Sequence, residues 1–191
     1  MKTAVILLLG ILAGNSVAKE MKPRKFTLLK ASSQTFVDAP VQIGVVKDNR
    51  DRISSNLTKL RALVSSGKIN LLLSDKQLEA LILVETGGRA GLIGDKHLGN
   101  DPSLWAYGKL QLRKCYVDDV NRAFGTDILA ADCLFEDELS ILVTQAYMNL
   151  YAPNHSFEHR AKVHNGGPAG PKVPKTTAYW AKVQSKLALL K

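Results

Sequence analysis

Apolar positions spaced i, i+3, i+4 and i+7 mark the helices of this chain, and one such stretch ends in an acidic residue. Leu78, Leu81, Ile82 and Glu85 hold that spacing, so they share one helical face. Ahead of them, Ser74-Asp75-Lys76-Gln77 has the form of a capping box, with Ser74 as N-cap and Gln77 at the third helical position. Gly87 and Gly88 follow at once. The face is expected to be buried, which sets Glu85 at its C-terminal edge, where the core meets an opening. Desolvation by apolar neighbours and the negative end of the helix dipole both raise a carboxyl pKa there. A carboxyl kept protonated near neutral pH is what general-acid catalysis asks for. The plainer role for such a residue is a helix end looking into solvent.

The same spacing predicts a helix over 52–65, on Ile53, Leu57, Leu60 and Val64. Another is expected over 117–124, closed by Gly125 as a C-cap. The longest runs over 136–151, with Leu139, Leu142, Val143, Ala146 and Leu150 on one stripe and Pro153 beyond its end. Its acidic start, Glu136-Asp137-Glu138, suits the positive end of a helix dipole. Shorter helices are expected over 157–164 and 176–190, separated by a Gly/Pro/Lys loop. Residues 105–112 alternate aromatic and apolar with small or polar side chains and predict a strand, while the glycine-rich 87–100 predicts loop with short strands. A β-prone stretch over 35–46, interrupted by Pro40, reads as part of an extended lead-in. Several helices beside one short sheet make an α+β domain.

Length and composition fit one globular domain with a real core, at 191 residues and 46% hydrophobic. Residues 1–18 are set apart: Lys2, an apolar run over 4–14, and Ser16-Val17-Ala18 predict a signal peptide cleaved after Ala18. The run is too short to span a bilayer, so no stable membrane insertion is expected. Residues 19–70 form an N-terminal lead-in with one amphipathic helix, and 71–191 form the main domain. Export to an oxidising compartment makes Cys115 and Cys133 candidates for a disulfide, two buried free thiols being the alternative. The protein is expected to be secreted, or periplasmic in a Gram-negative host, and monomeric.

The formal charge is +9, and +8 once Lys2 leaves with the signal. The basic residues are spread along the chain, with no basic helix and no aromatic-plus-lysine stacking pattern, so nucleic acid is not an expected partner. An anionic cell wall suits a secreted basic protein better. The four His and two Cys lack ligand spacing, and neither a metal nor a cofactor is expected. Asn56-Leu57-Thr58 and Asn154-His155-Ser156 are glycosylation sequons, relevant in a host that uses them.

Three separated stretches carry a resemblance. Glu85-Thr86 ends a helix before Gly87-Gly88, Tyr107-Gly108-Lys109-Leu110-Gln111-Leu112 follows, and His164-Asn165-Gly166-Gly167 comes much later. This order resembles the lysozyme superfamily, and within it the goose-type lysozymes and soluble lytic transglycosylases. In those proteins a helix ends in Glu-Ser or Glu-Thr, a strand carries Tyr-Gly-x-x-Gln-Ile, and a later helix ends in Tyr-Asn-Ala-Gly or a variant. His164 departs from the usual aromatic and Gly166 from the usual Ala. The stretch Ala178-Tyr179-Trp180-Ala181-Lys182-Val183 resembles the family's closing Tyr-x-x-x-Val. The resemblance spans about 74–183 and leaves the lead-in unexplained.

The resemblance implies a lysozyme-like enzyme that cleaves β-1,4 bonds of the peptidoglycan glycan strand, with Glu85 as general acid through an oxocarbenium-like state. It implies that Gly108 lets the glycan approach the backbone, that the Gln111 and Asn165 amides meet sugar groups, and that Tyr107 and Tyr179 hold the Glu85 carboxyl or a sugar. Each has a structural alternative, a helix C-cap for Asn165 and a core aromatic for Tyr179. A second carboxylate decides the reaction: an inverting hydrolase needs a base roughly 6.5–9.5 Å from the acid. Asp95 and Asp101 are the candidates, each also a natural turn residue beside Gly94 or Pro102. A lytic transglycosylase, which uses the sugar's own 6-hydroxyl, needs neither. Two rivals from other classes are a glycan-binding protein without catalysis and a basic membrane-disrupting defence protein.

Overall fold

The computed structural model describes residues 43–190, with side chains from Asn49 onward. The signal peptide expected over 1–18 and residues 19–42 of the lead-in lie outside the described residues. Helix α1, Ile43–Ser65, starts earlier than its apolar stripe suggested, so Ile43 to Val46, read as β-prone, are helical. It packs on the long helix α4, Asp137–Tyr151, in the compact unit that spans 40–191. Leu57 and Leu60 are buried between them. Arg52 pairs with the buried Asp132, and Arg61 reaches Glu138 through two guanidinium contacts of 2.7 and 2.5 Å. Asn56 of the first sequon is 2% exposed and hydrogen-bonded to Arg52 and Asp127, whereas Asn154 is exposed.

Helix α4 is the centre of the fold. From Leu139 to Met148 every residue but Ile141 is buried, including Ser140, Thr144 and Gln145. The hydroxyls of Ser140 and Thr144 satisfy themselves on carbonyls, of Cys133 and Ser140. The Gln145 amide leaves the helix and brackets Leu73, accepting from its N–H at 3.0 Å and donating to its C=O at 2.7 Å. That clamp fixes the entry to α2, Asp75–Glu85, whose capping box forms as the sequence predicts. Leu78, Leu81 and Ile82 are buried, and α2 packs against α6, Lys175–Leu189.

After α2 come turns and a three-stranded antiparallel sheet ordered β1-β2-β3: Ile93–Gly94, Ala106–Tyr107 and Leu112–Arg113. The strand expected over 105–112 is two strands and a turn. The chain reverses between Tyr107 and Leu112, with Gly108 at φ +74° and Gln111 at φ +50°. A Cβ on Gly108 would collide with the Cys133 carbonyl, because the turn is pressed onto the 3-10 segment Ala130–Leu134. Helix α3, Lys114–Phe124, follows directly and ends on Gly125 in the left-handed conformation. Helix α5, Phe157–Gly166, packs on α4 and α6. The result is mainly helical with one small sheet, an α+β fold. Among the described residues no helix is long and apolar enough to cross a membrane.

The disulfide expected between Cys115 and Cys133 is absent. Cys115 lies on the exposed side of α3, opposite Tyr116, Val117 and Val120, while Cys133 is fully buried under α4. Both thiols are free, and burial pushes that of Cys133 up to about 12.

Candidate active site

Glu85 ends α2, with its side chain 17% exposed. The next residue, Thr86, holds this helix end in place: its hydroxyl lies 3.1 Å from the Ile82 carbonyl and 3.2 Å from that of Lys109 in the hairpin turn. Burial pushes the Glu85 carboxyl up to about 7, and the negative charge of Asp95 adds to that push. A hydrogen bond from the Tyr179 hydroxyl opposes it, as do the positive charges of Arg113 and Lys182. Desolvation is the larger effect, so near neutral pH the group is poised between acid and carboxylate.

Tyr179 lies in the first half of α6, and its hydroxyl donates to Glu85 Oε1 at 2.7 Å. The phenol is buried, and burial together with the carboxyl beside it raises its pKa well above the ordinary value. It is therefore a fixed proton donor. His164, on the last turn of α5, reaches the same carboxyl oxygen: Nε2 is 3.6 Å from Oε1, with 3% of its side chain exposed. Burial pushes its imidazole down to about 4, against a backbone hydrogen bond with Leu110, so it is neutral at pH 7. Nδ1 lies 3.4 Å from the Tyr116 hydroxyl on α3. Tyr116 stacks on Tyr147 of α4 with ring centroids 3.5 Å apart. In the sequence His164 stood out only as a departure from a motif. Nothing in its spacing announced that α5 brings it onto Glu85.

The other predicted site residues divide. Asp95 takes a left-handed conformation after β1, and its Oδ2 accepts from Arg113 Nε at 3.0 Å and Nη2 at 2.6 Å. It is near enough to Glu85 for its charge to be felt there. Asp101 is exposed and caps the 3-10 turn Pro102–Leu104, accepting from the Ser103 N–H at 2.8 Å and hydroxyl at 2.7 Å. Its carboxylate serves that turn.

The Tyr107 hydroxyl is spent on the Pro102 carbonyl at 2.9 Å, away from Glu85. At Gly108 the missing side chain makes room for the Cys133 carbonyl, so the close approach is by protein. Gln111 Nε2 donates to the carbonyls of Gly108 at 2.7 Å and Leu92 at 3.3 Å, and its side-chain oxygen occupies the space a Cβ on Gly94 would need. Asn165 is exposed at the end of α5, one residue beyond His164. Glu85, Tyr179, His164, Asp95 and Arg113 are thus brought together from four helices and strands and the β1 loop. Tyr107 and Gln111 brace the neighbouring hairpin.

No protein-family model matches the chain. Among solved structures, it is similar to a chain in the crystal structure of Aeromonas hydrophila PliI in complex with Meretrix lusoria lysozyme. The match has 26% identity and a TM-score of 0.49, over 59% of this chain and 89% of that one.

Proposed function

We propose that this protein is a glycosidase of the lysozyme type, cleaving β-1,4 bonds between N-acetylmuramic acid and N-acetylglucosamine in bacterial peptidoglycan. The observation that carries the reading is Glu85: a mostly buried carboxyl at a helix end, raised to about 7 and held through Oε1 by a tyrosine hydroxyl. A carboxylic acid of that strength delivers a proton to a glycosidic oxygen as the C–O bond breaks. With Oε1 accepting from Tyr179, the transferable proton sits on Oε2. In hydrolysis water then adds to the oxocarbenium carbon, and its proton leaves to a carboxylate. Glu85→Gln keeps the shape and removes the proton, so cleavage of purified peptidoglycan should fall by orders of magnitude. Undiminished lysis by that variant would sink the assignment.

A second reading, a lytic transglycosylase, is favoured by what holds the other carboxylates. Asp95 accepts two guanidinium contacts from Arg113, and Asp101 is tied to Ser103. The Ser103 hydrogen bonds hold the Asp101 carboxyl below its usual range, and Asp95 would have to leave Arg113 to take up water. Glu85 alone could then give and retake the proton while the 6-hydroxyl closes a 1,6-anhydro ring. Mass spectrometry of the released fragments separates the two, since anhydro ends are lighter by one water than reducing ends. A wall-bound protein that releases no fragments would be a binder.

A further inference from the structure

We propose that His164 is a positioning residue for Glu85, its Nε2–H turned toward Oε1 to receive the charge left there when the carboxyl loses its proton. The inference deepens the glycosidase reading by naming what sets the acid's strength. It stands on geometry. Oε1 accepts from Tyr179 at 2.7 Å, so it presents lone pairs to its surroundings. His164 Nε2 faces that oxygen at 3.6 Å in a buried setting. A bare ring nitrogen there would set lone pair against lone pair at low dielectric, whereas an N–H is attracted. Placing the proton on Nε2 leaves Nδ1 as the acceptor, and the Tyr116 hydroxyl stands 3.4 Å from it with a proton to give.

At 3.6 Å the contact is longer than a hydrogen bond, which suits a group that closes only when the carboxylate forms. The titratable and charged groups acting on the pair are Tyr179 and Lys182 of α6, Asp95, Arg113 of β3 and Tyr116 of α3. Of these, Tyr179 and His164 alone are placed to meet Oε1 with a neutral donor, and the Leu110 carbonyl, which also accepts from the imidazole, competes with Oε1 for its N–H. Two neutral donors on one oxygen leave the other, Oε2, to carry the proton outward.

The test is read on the free protein, whether or not it cleaves a glycan. Nitrogen-15 shifts of the wild-type imidazole should report the Nε2–H tautomer. An Nδ1–H tautomer, with Tyr116 turned toward Thr144, would overturn the proposal. Carbon-13 titration of the Glu85 carboxyl should move up by about one pH unit in His164→Phe. His164→Gln, which keeps an N–H donor, should restore most of the shift. An unmoved Glu85 titration in a folded His164→Phe protein would also overturn it. If wild type releases fragments, His164→Phe should lower kcat about tenfold with KM little changed and move the basic limb of the pH profile upward. If wild type releases none while the titrations behave as stated, the glycosidase reading fails and the pairing of His164 with Glu85 stands.

Discussion

The Tyr179 hydroxyl and Glu85 Oε1, 94 residues apart in the chain, lie 2.7 Å from each other and join α6 to α2 at the candidate acid. Since this contact holds Glu85 down against the push of burial, Tyr179→Phe should raise the carboxyl further. We expect the basic limb of activity to move upward, kcat to fall about tenfold, and stability to drop by about 1 kcal/mol. A pH–rate profile and a urea melt of the variant check both parts. A limb that stays in place would separate the tyrosine from the acid.

Glu85 also links stability to pH. Its folded pKa, about 7, lies above the ordinary 4.5, so the folded state holds the proton more tightly than the unfolded chain. The corresponding stability is fully present below about pH 4.5 and is lost as pH rises through 7. The range amounts to roughly 3 kcal/mol, reduced by whatever water reaches the carboxyl. Buried His164, with a folded pKa of about 4 against an ordinary 6.5, gains stability as pH rises to 6.5 and opposes this loss in both proteins, so the urea midpoint of wild type should fall between pH 5 and 8 relative to that of Glu85→Gln. An equal decline in both proteins would place its cause elsewhere.

Asp95 and Asp101 should behave differently. Asp95 pushes Glu85 up and engages Arg113, so Asp95→Asn removes one charge and frees an opposing one. Both changes lower the Glu85 pKa, and the basic limb should move to lower pH. Asp101→Asn should leave the limb unmoved and cost little stability, because the amide oxygen still accepts from the Ser103 N–H. Glu85 titration in the two variants is the direct measurement.

Gly108→Ala should be among the costliest single substitutions in the hairpin. It places a side chain at φ +74° and drives it into the Cys133 carbonyl and the Ser140 hydroxyl. A loss of about 2–4 kcal/mol is expected, read as a fall in Tm. Ser140→Ala, which opens space at one side only, should not rescue it.

Native protein should react with a thiol reagent once, at Cys115. Cys133, buried and with its thiol held protonated, should react only after unfolding. Two fast thiols, or none in the absence of reductant, would contradict this arrangement.

Much of this was legible along the chain. The Ser74 capping box, the buried stripe of α2 and the position of Glu85 follow from local spacing, which is what helices obey. Alternation over 105–112 predicts one strand, and it says nothing of the left-handed glycine that turns the chain between two short runs. Tyr107 and Gln111 have hydrogen-bonding groups of the right kind, but whether they face a cleft or the Pro102 and Gly108 carbonyls is a tertiary matter. The same holds for Cys115 and Cys133, whose pairing depends on which side of α3 faces outward. His164 came to Glu85 only through the packing of α5, beyond the reach of any periodicity.

The brackets at either end of α2 have a mechanical consequence. Gln145 grips the backbone at Leu73 from the middle of the core, and Thr86 is tied across to Lys109. A rod gripped at both ends can neither slide along its axis nor unwind from its last turn. Movement of the Glu85 carboxyl is therefore confined to its own side-chain torsions, and the distance over which it can deliver a proton is set by a few bonds of one residue.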